Sequence, residues 1–187
     1  DILQSPDILE QITNGCNFKK IVAESRIDRL NSHTVTILKK FGITHLILGV
    51  ESFYGKNLHN SSKMESKRWI DMTYKAIDLC VSSGIVPRPV LQLMFPTMGD
   101  SYLHDIRPFI YDWTPQNGIE IFFVFFTPHP GLQNIHLKKS NLITNDLSKF
   151  DHLNPVYKPD SFDDHKLDKF LDDFNEIVDL TNSVKYN

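Results

Sequence analysis

The chain has 187 residues, of which 41% are hydrophobic and 23% charged, and its formal net charge is −3 at pH 7. This length is sufficient to bury the core of one domain, and the composition excludes an intrinsically disordered chain and a membrane-embedded one. The two signs of charge are interspersed, which argues against a surface dedicated to nucleic acid. The cysteines, Cys16 and Cys80, are far apart, so we expect a reducing, cytoplasmic setting without a disulfide scaffold.

Helical and extended patterns alternate along the chain. They predict helices over about 6–12, 32–41, 66–82, 102–111 and 163–181, and strands over about 18–23, 43–50, 86–95 and 119–126. Such alternation implies parallel strands with right-handed crossovers. We therefore predict an α/β fold, a partial TIM-like (β/α) barrel of about four parallel strands with outer helices. Residues 1–160 would form the barrel, and a C-terminal helix within 161–187 would pack on it.

The strand over 43–50 is the most informative element. Its sequence, ITHLILGV, is typical of a strand buried on both faces, and it is followed by Glu51 and Ser52. Ligands bind at the carboxyl ends of parallel strands because the loops there converge on one crevice. Gly49 permits close approach, and the two polar side chains offer hydrogen-bond acceptors. The sequence therefore predicts a ligand site at this strand end.

The strand over 86–95 contains Pro87 and Pro89. Proline has no N–H to donate to a ladder, so it belongs at a strand start or a sheet edge. We therefore expect only residues 90–95 to be paired.

Five segments, in this order and spacing, resemble the core of the radical S-adenosylmethionine enzymes. They are ESRID at 24–28, LKKFG at 38–42, LGVES at 48–52, FPTMG at 95–99 and FTPHPG at 126–131, the last similar to a TPYPG segment of that family. Residues 146–152 resemble a region of members that also carry a cobalamin-binding domain. The resemblance covers about residues 15–160, and it implies reductive cleavage of S-adenosylmethionine to a 5′-deoxyadenosyl radical by an iron–sulfur oxidoreductase, on a substrate that stays unknown.

By position, the resemblance implies a set of residues that bind S-adenosylmethionine. They are Glu24, Arg26, Gly49, Glu51, Ser52, Lys63, Phe126 and Thr127. The two glutamates, at neighbouring strand tips, would accept hydrogen bonds from the amino group or the ribose hydroxyls. Ser52 would add a hydroxyl contact, and Lys63 or Arg26 would pair with the methionyl carboxylate. Phe126 and Thr127 would bring backbone groups and an apolar wall to the adenine.

Each of these roles has a structural alternative. Glu51 could cap the following helix or bind a surface lysine, and Glu24 could pair with Arg26 or Arg29 on a solvated rim. Arg26 itself is as well suited to a structural salt bridge, and Lys63 to simple exposure.

The chain departs from the family at the [4Fe–4S] cluster, which a CxxxCxxC loop holds. This loop is missing, and Cys16 and Cys80 cannot supply three thiolates. We therefore expect these residues to be the C-terminal portion of a longer enzyme, inactive alone, with no metal site of their own. The cluster, and a cobalamin if there is one, would belong to the full-length protein.

Other readings stay open. A cluster-free barrel could act as a binding or scaffold module, and Glu24 with Glu51 could serve a hydrolase as an acid/base pair. His129, His136, His152 and His165 lie in the C-terminal third without metal-binding spacing, so we expect them to be solvated or locally hydrogen-bonded. A barrel without its first strands would leave the strand over 18–23 at an open edge, so we expect self-association there or a neighbouring segment, such as residues 1–14, covering it. No apolar stretch reaches the roughly 20 residues of a bilayer crossing, so no membrane partner is expected.

Overall fold

The computed structural model describes residues 11, 18–52, 66–113, 119–129 and 137–184. Within them, one open sheet contains four parallel strands in chain order: β1 (Val22–Arg26), β2 (His45–Glu51), β3 (Val86–Leu93) and β4 (Phe122–Phe125). Four α-helices with assigned bounds accompany them: α1 (Ser32–Lys40), α2 (Ser66–Ser82), α3 (Tyr102–Trp113) and α4 (Asp164–Val184). The predicted α/β class with about four parallel strands is confirmed, and the open sheet is compatible with a partial barrel.

The two faces of the sheet differ in burial. Alternate strand residues, such as Leu46, Leu48 and Leu91, are fully buried in one hydrophobic core to which all four helices contribute. On this face Phe174 of α4 packs edge-on against Phe123 and Phe125, at centroid distances of 5.3 and 5.5 Å. The residues between them are half-buried or exposed, and we call their side of the sheet the open face. Its members include Val22, Glu24, Arg26, His45, Ile47, Gly49, Arg88 and Phe122.

The first strand lies further along the chain than predicted. Pairing with β2 begins at Val22 opposite His45 and extends to Arg26 opposite Gly49. Phe18, which suggested an earlier start, is 53% exposed. The alternation of burial in Val22–Arg26 is that of a strand with one buried face, whereas the predicted range relied on apolar content alone. Within the described residues β1 pairs only with β2, so it forms a sheet edge, and self-association through it stays a prediction.

The prolines of β3 are accommodated by the staggered start of the neighbouring ladders. Val86 donates its N–H to Thr44 O at 2.9 Å, and Leu46 stands opposite Pro87, so the expectation that pairing starts at Val90 is wrong for the β2 side. On the other side the β4 ladder begins at Val90, opposite Phe122. Pro87 O faces this side, where it accepts the Glu120 N–H. The missing proline N–H groups therefore fall where β4 has not yet begun, which fits the rule that proline avoids central ladder positions.

The helices follow the predicted ranges closely. The helix over 66–82 has the predicted bounds, and Asn31 caps α1 by accepting the Thr34 N–H in a capping box. The helix predicted over about 6–12 falls outside the described residues except for residue 11. None of the helices in the described part of the chain has both the length and the apolar character needed to cross a bilayer.

Candidate functional site

The chain turns sharply at Glu51, where β2 ends. The N–H of Ser52 donates to Val50 O at 2.9 Å, and Glu51 between them has a φ of 67°. This is a γ-turn with a left-handed central residue, which is rare and strained for a residue with a side chain. The register between β2 and β3 also shifts between Gly49 and Glu51. The turn thus redirects the Glu51 side chain at the carboxyl edge of the sheet.

The Glu51 carboxylate folds back over Gly49. A Cβ atom built on Gly49 would lie 3.3 Å from Glu51 Oε1, a distance at which a side chain at 49 would force the carboxylate to move. Gly49 belongs to the open face, so the carboxylate lies on that face too. The absence of a side chain at Gly49, which suggested close approach by a ligand, here makes room for the glutamate.

Arg26 stands opposite Gly49 at the tip of the neighbouring strand. Its guanidinium donates two hydrogen bonds to the Asp28 carboxylate, at 2.9 and 2.7 Å, and its side chain is 49% exposed. The hydrogen bond to Asp28 raises the pKa of Arg26, and the negative charges of Asp28 and Glu51 act in the same direction. The salt-bridge alternative for Arg26 is thereby confirmed, with Asp28 as a partner that the sequence analysis did not single out.

Glu24 is exposed on the open face, but it does not lie beside Glu51. It stands opposite Ile47, in the middle of β1. The Glu51 carboxylate lies over Gly49, two residues further along β2, which is about 7 Å at roughly 3.3 Å per residue. Arg26, and not Glu24, therefore occupies the strand tip that faces the end of β2.

Ser52 is fully buried, unlike a residue poised at the rim of a cleft. It hydrogen-bonds the side chain of Tyr102, whose hydroxyl also donates to Gln92 O at 3.4 Å. Burial raises the pKa of Tyr102 far above its usual range, and the hydrogen bond with Ser52 opposes this only in part. Ser52 thus connects the end of β2 to α3 and β3 inside the core.

Phe126 and Thr127 follow β4 and are also buried, at 3% and 2% exposure. The Phe126 N–H donates to Leu93 O at 2.8 Å, so this backbone group is used within the sheet. Its ring packs against Phe95 and Tyr157, with centroids 5.5 and 5.7 Å away. Both residues are therefore part of the packed core at the carboxyl edge, and their contact with an adenine stays a prediction.

The structure thus brings together Arg26, Gly49 and Glu51, adds Asp28, and leaves Glu24 lower on the same face. Lys63 lies outside the described residues, as does Gly131. The pairing of Arg26 with Asp28 could have been predicted from the sequence, because a carboxylate two residues after an arginine at a strand end can accept hydrogen bonds from its guanidinium. No protein-family model matches the chain, and no curated protein matches it in sequence.

Proposed function

We propose that this chain is an S-adenosylmethionine-binding domain, the part of a radical S-adenosylmethionine enzyme that lies downstream of the cluster loop. One observation carries the proposal: the strained turn at Glu51 holds a carboxylate over Gly49, beside Arg26, on the open face at the carboxyl edge of a parallel sheet. This edge is where α/β sheets bind ligands. Strain in a non-glycine residue is typical of sites where a side chain must be aimed.

The charges at this edge suit the methionyl end of S-adenosylmethionine, which carries an ammonium, a carboxylate and a sulfonium. Glu51 would accept hydrogen bonds from the ammonium or from ribose hydroxyls, and such charge-assisted bonds are the stronger kind. Arg26 presents a planar donor fork, part of which binds Asp28, and the exposed remainder suits a carboxylate. The residues of this chain would thereby bind and orient the ligand.

The cysteines of this chain do not fit a [4Fe–4S] cluster. Such a cluster needs several thiolates, whereas Cys80 is fully buried and burial raises its pKa to about 12, which keeps it a thiol. Within the described residues no three His, Cys, Asp or Glu side chains converge. We therefore expect no S-adenosylmethionine cleavage by this chain alone. Cobalamin likewise stays an implication of the resemblance.

Both glutamates lie on the open face, so their spacing does not exclude the hydrolase alternative. An acid/base pair needs carboxyl groups roughly 5–9.5 Å apart with substrate between them. Glu24 is level with Ile47, and the Glu51 carboxylate folds back over Gly49, about 7 Å further along β2 and one strand across. A cluster-free binding module would bind its ligand at the same edge. It differs from the main proposal only in that no reaction would follow binding.

Equilibrium dialysis with labelled S-adenosylmethionine tests the proposal. We expect weak, millimolar-range binding, because the cluster that chelates the methionyl group elsewhere in the family has no ligands here. Glu51→Gln keeps the shape but removes the charge, and it should lower affinity about tenfold or more. Glu176→Gln is the matched control, since Glu176 is an exposed carboxylate that pairs with Arg107 on the helices. Equal binding by wild type and Glu51→Gln, or no binding by wild type, would reject the site.

A further inference from the structure

Two histidines from separate parts of the chain meet at the carboxyl end of β4. Nε2 of His129 and Nε2 of His152 are 3.0 Å apart, with ring centroids at 4.9 Å. His129 follows Pro128 just after the strand, and it is exposed, while His152 is half-buried in the segment over 137–163. Solvated or locally hydrogen-bonded histidines were expected, whereas this contact joins residues 23 positions apart in the chain.

His152 is fixed in position by its own backbone and by its second ring nitrogen. Its φ is 65°, and its carbonyl accepts the Phe125 N–H at 2.8 Å. Nδ1 of the same residue lies 3.3 Å from Phe125 O. A carbonyl can only accept, so Nδ1 carries the hydrogen and Nε2 presents its lone pair towards His129. A histidine that donates one N–H to a backbone carbonyl is oriented as metal-binding histidines usually are.

The separation of the two nitrogens suits a shared metal ion. Imidazole nitrogens bind Zn²⁺ at about 2.0–2.1 Å, so nitrogens 3.0 Å apart would subtend roughly 95° at one ion. This is close to the angle between adjacent ligands in an octahedral or square-based site, and a small ring rotation reaches the tetrahedral angle. Without an ion, Nε2–H of His129 donates to Nε2 of His152. If the His129 hydrogen moved to Nδ1, the lone pair of His129 Nε2 would become available to a metal ion.

We propose that His129 and His152 form a binding site for a divalent transition-metal ion of the Zn²⁺ class. Imidazole nitrogen is a preferred ligand of such ions, whereas Mg²⁺ and Ca²⁺ prefer oxygen ligands. Within the described residues no third His, Cys, Asp or Glu completes the group. The ion would tie the end of β4 to the segment over 137–163. The site lies at the end of β4, two strands away from the end of β2, and it does not depend on the proposed function.

Zinc titration of the full chain by calorimetry tests the site. We expect one Zn²⁺ per chain with a Kd on the order of micromolar, and a melting temperature that rises with added zinc. His129→Asn and His152→Asn should each weaken binding about tenfold or more. Asparagine is chosen because it tolerates the left-handed backbone of residue 152.

His165→Asn, which removes an exposed histidine of α4, is the control and should bind zinc as wild type does. Absence of stoichiometric binding by wild type would overturn the site. Unchanged affinity in His129→Asn would overturn it too, and that variant keeps the test decisive if His152→Asn fails to fold, because His129 is exposed.

Discussion

Glu51 is the residue at which backbone geometry and charge coincide. A left-handed conformation costs a residue with a side chain about 1–2 kcal/mol, and the cost is small only for glycine and for short polar residues. Glutamate is neither, yet it occupies the centre of the γ-turn with a φ of 67°. The side chain that results lies over Gly49 beside Arg26. A purely structural turn would be better served by glycine, so the glutamate points to a role for its carboxylate.

Replacing Glu51 with glycine separates the two contributions. Glu51→Gly should relieve the strain, so we expect a free energy of unfolding equal to wild type or up to about 1 kcal/mol higher. Glu51→Gln keeps the strained backbone and should stay within about 0.5 kcal/mol of wild type. Urea denaturation measures both. A clear loss of stability in Glu51→Gly would mean that the interactions of the carboxylate within the chain, such as its attraction to Arg26, outweigh the strain of the turn.

Cys80 makes the stability of the chain depend on pH in the alkaline range. Burial raises its pKa from 9.0 to about 12, so the folded chain keeps the proton that the unfolded chain loses above pH 9. The stability linked to this proton is fully present below pH 9 and is lost as the pH rises towards 12. We expect the free energy of unfolding to fall more steeply over this range in wild type than in Cys80→Ala. Parallel curves from urea denaturation would contradict the burial of this thiol.

At the scale of elements, α2 fixes the end of β2. The fully buried indole of Trp69 donates to Val50 O at 2.9 Å, and the same carbonyl accepts the Ser52 N–H of the γ-turn. Helix position and turn geometry are therefore coupled through one carbonyl next to Glu51.

Trp69→Phe should weaken this connection. The loss of one buried hydrogen bond and of part of the ring should lower the free energy of unfolding by about 1–3 kcal/mol. Ile70→Val, at a half-buried position of the same helix, should cost less and serves as the control. Denaturant unfolding followed by circular dichroism checks both variants. Equal stability of Trp69→Phe and wild type would show that the turn forms without the helix.

Elements were predictable where a local pattern determines them. The bounds of α2 follow from its apolar periodicity, with Ile70 and Ile77 on one face. Such periodicity is a local property of the sequence, so it can be recognised without knowledge of the neighbouring elements. The bounds of β1 depend on where β2 lies beside it, and the pairing of β3 depends on where β4 begins. The sequence could therefore not show that Pro87 belongs to a paired strand. Pro87 is tolerated because its β4 side is unpaired, and that depends on where β4 begins.

At the scale of the whole molecule, the parallel order of the strands and the end of β2 just after Gly49 followed from the sequence. The partners at that edge did not. Local patterns say nothing of contacts between distant residues, so the burial of Ser52 against Tyr102 and the approach of His129 to His152 appear only in the fold. Glu24 was expected at a tip because β1 was placed too early, and its level on the sheet depends on a register that a single sequence does not specify.

A map of backbone amide shifts on titration of the ¹⁵N-labelled chain with S-adenosylmethionine tests the central claim most directly. A ligand at the open carboxyl edge predicts the largest shifts at Arg26, Gly49 and Glu51, rising over a millimolar concentration range, and their loss in Glu51→Gln. Shifts confined to the surface of α3 and α4, or no shifts at all, would contradict a site at this edge.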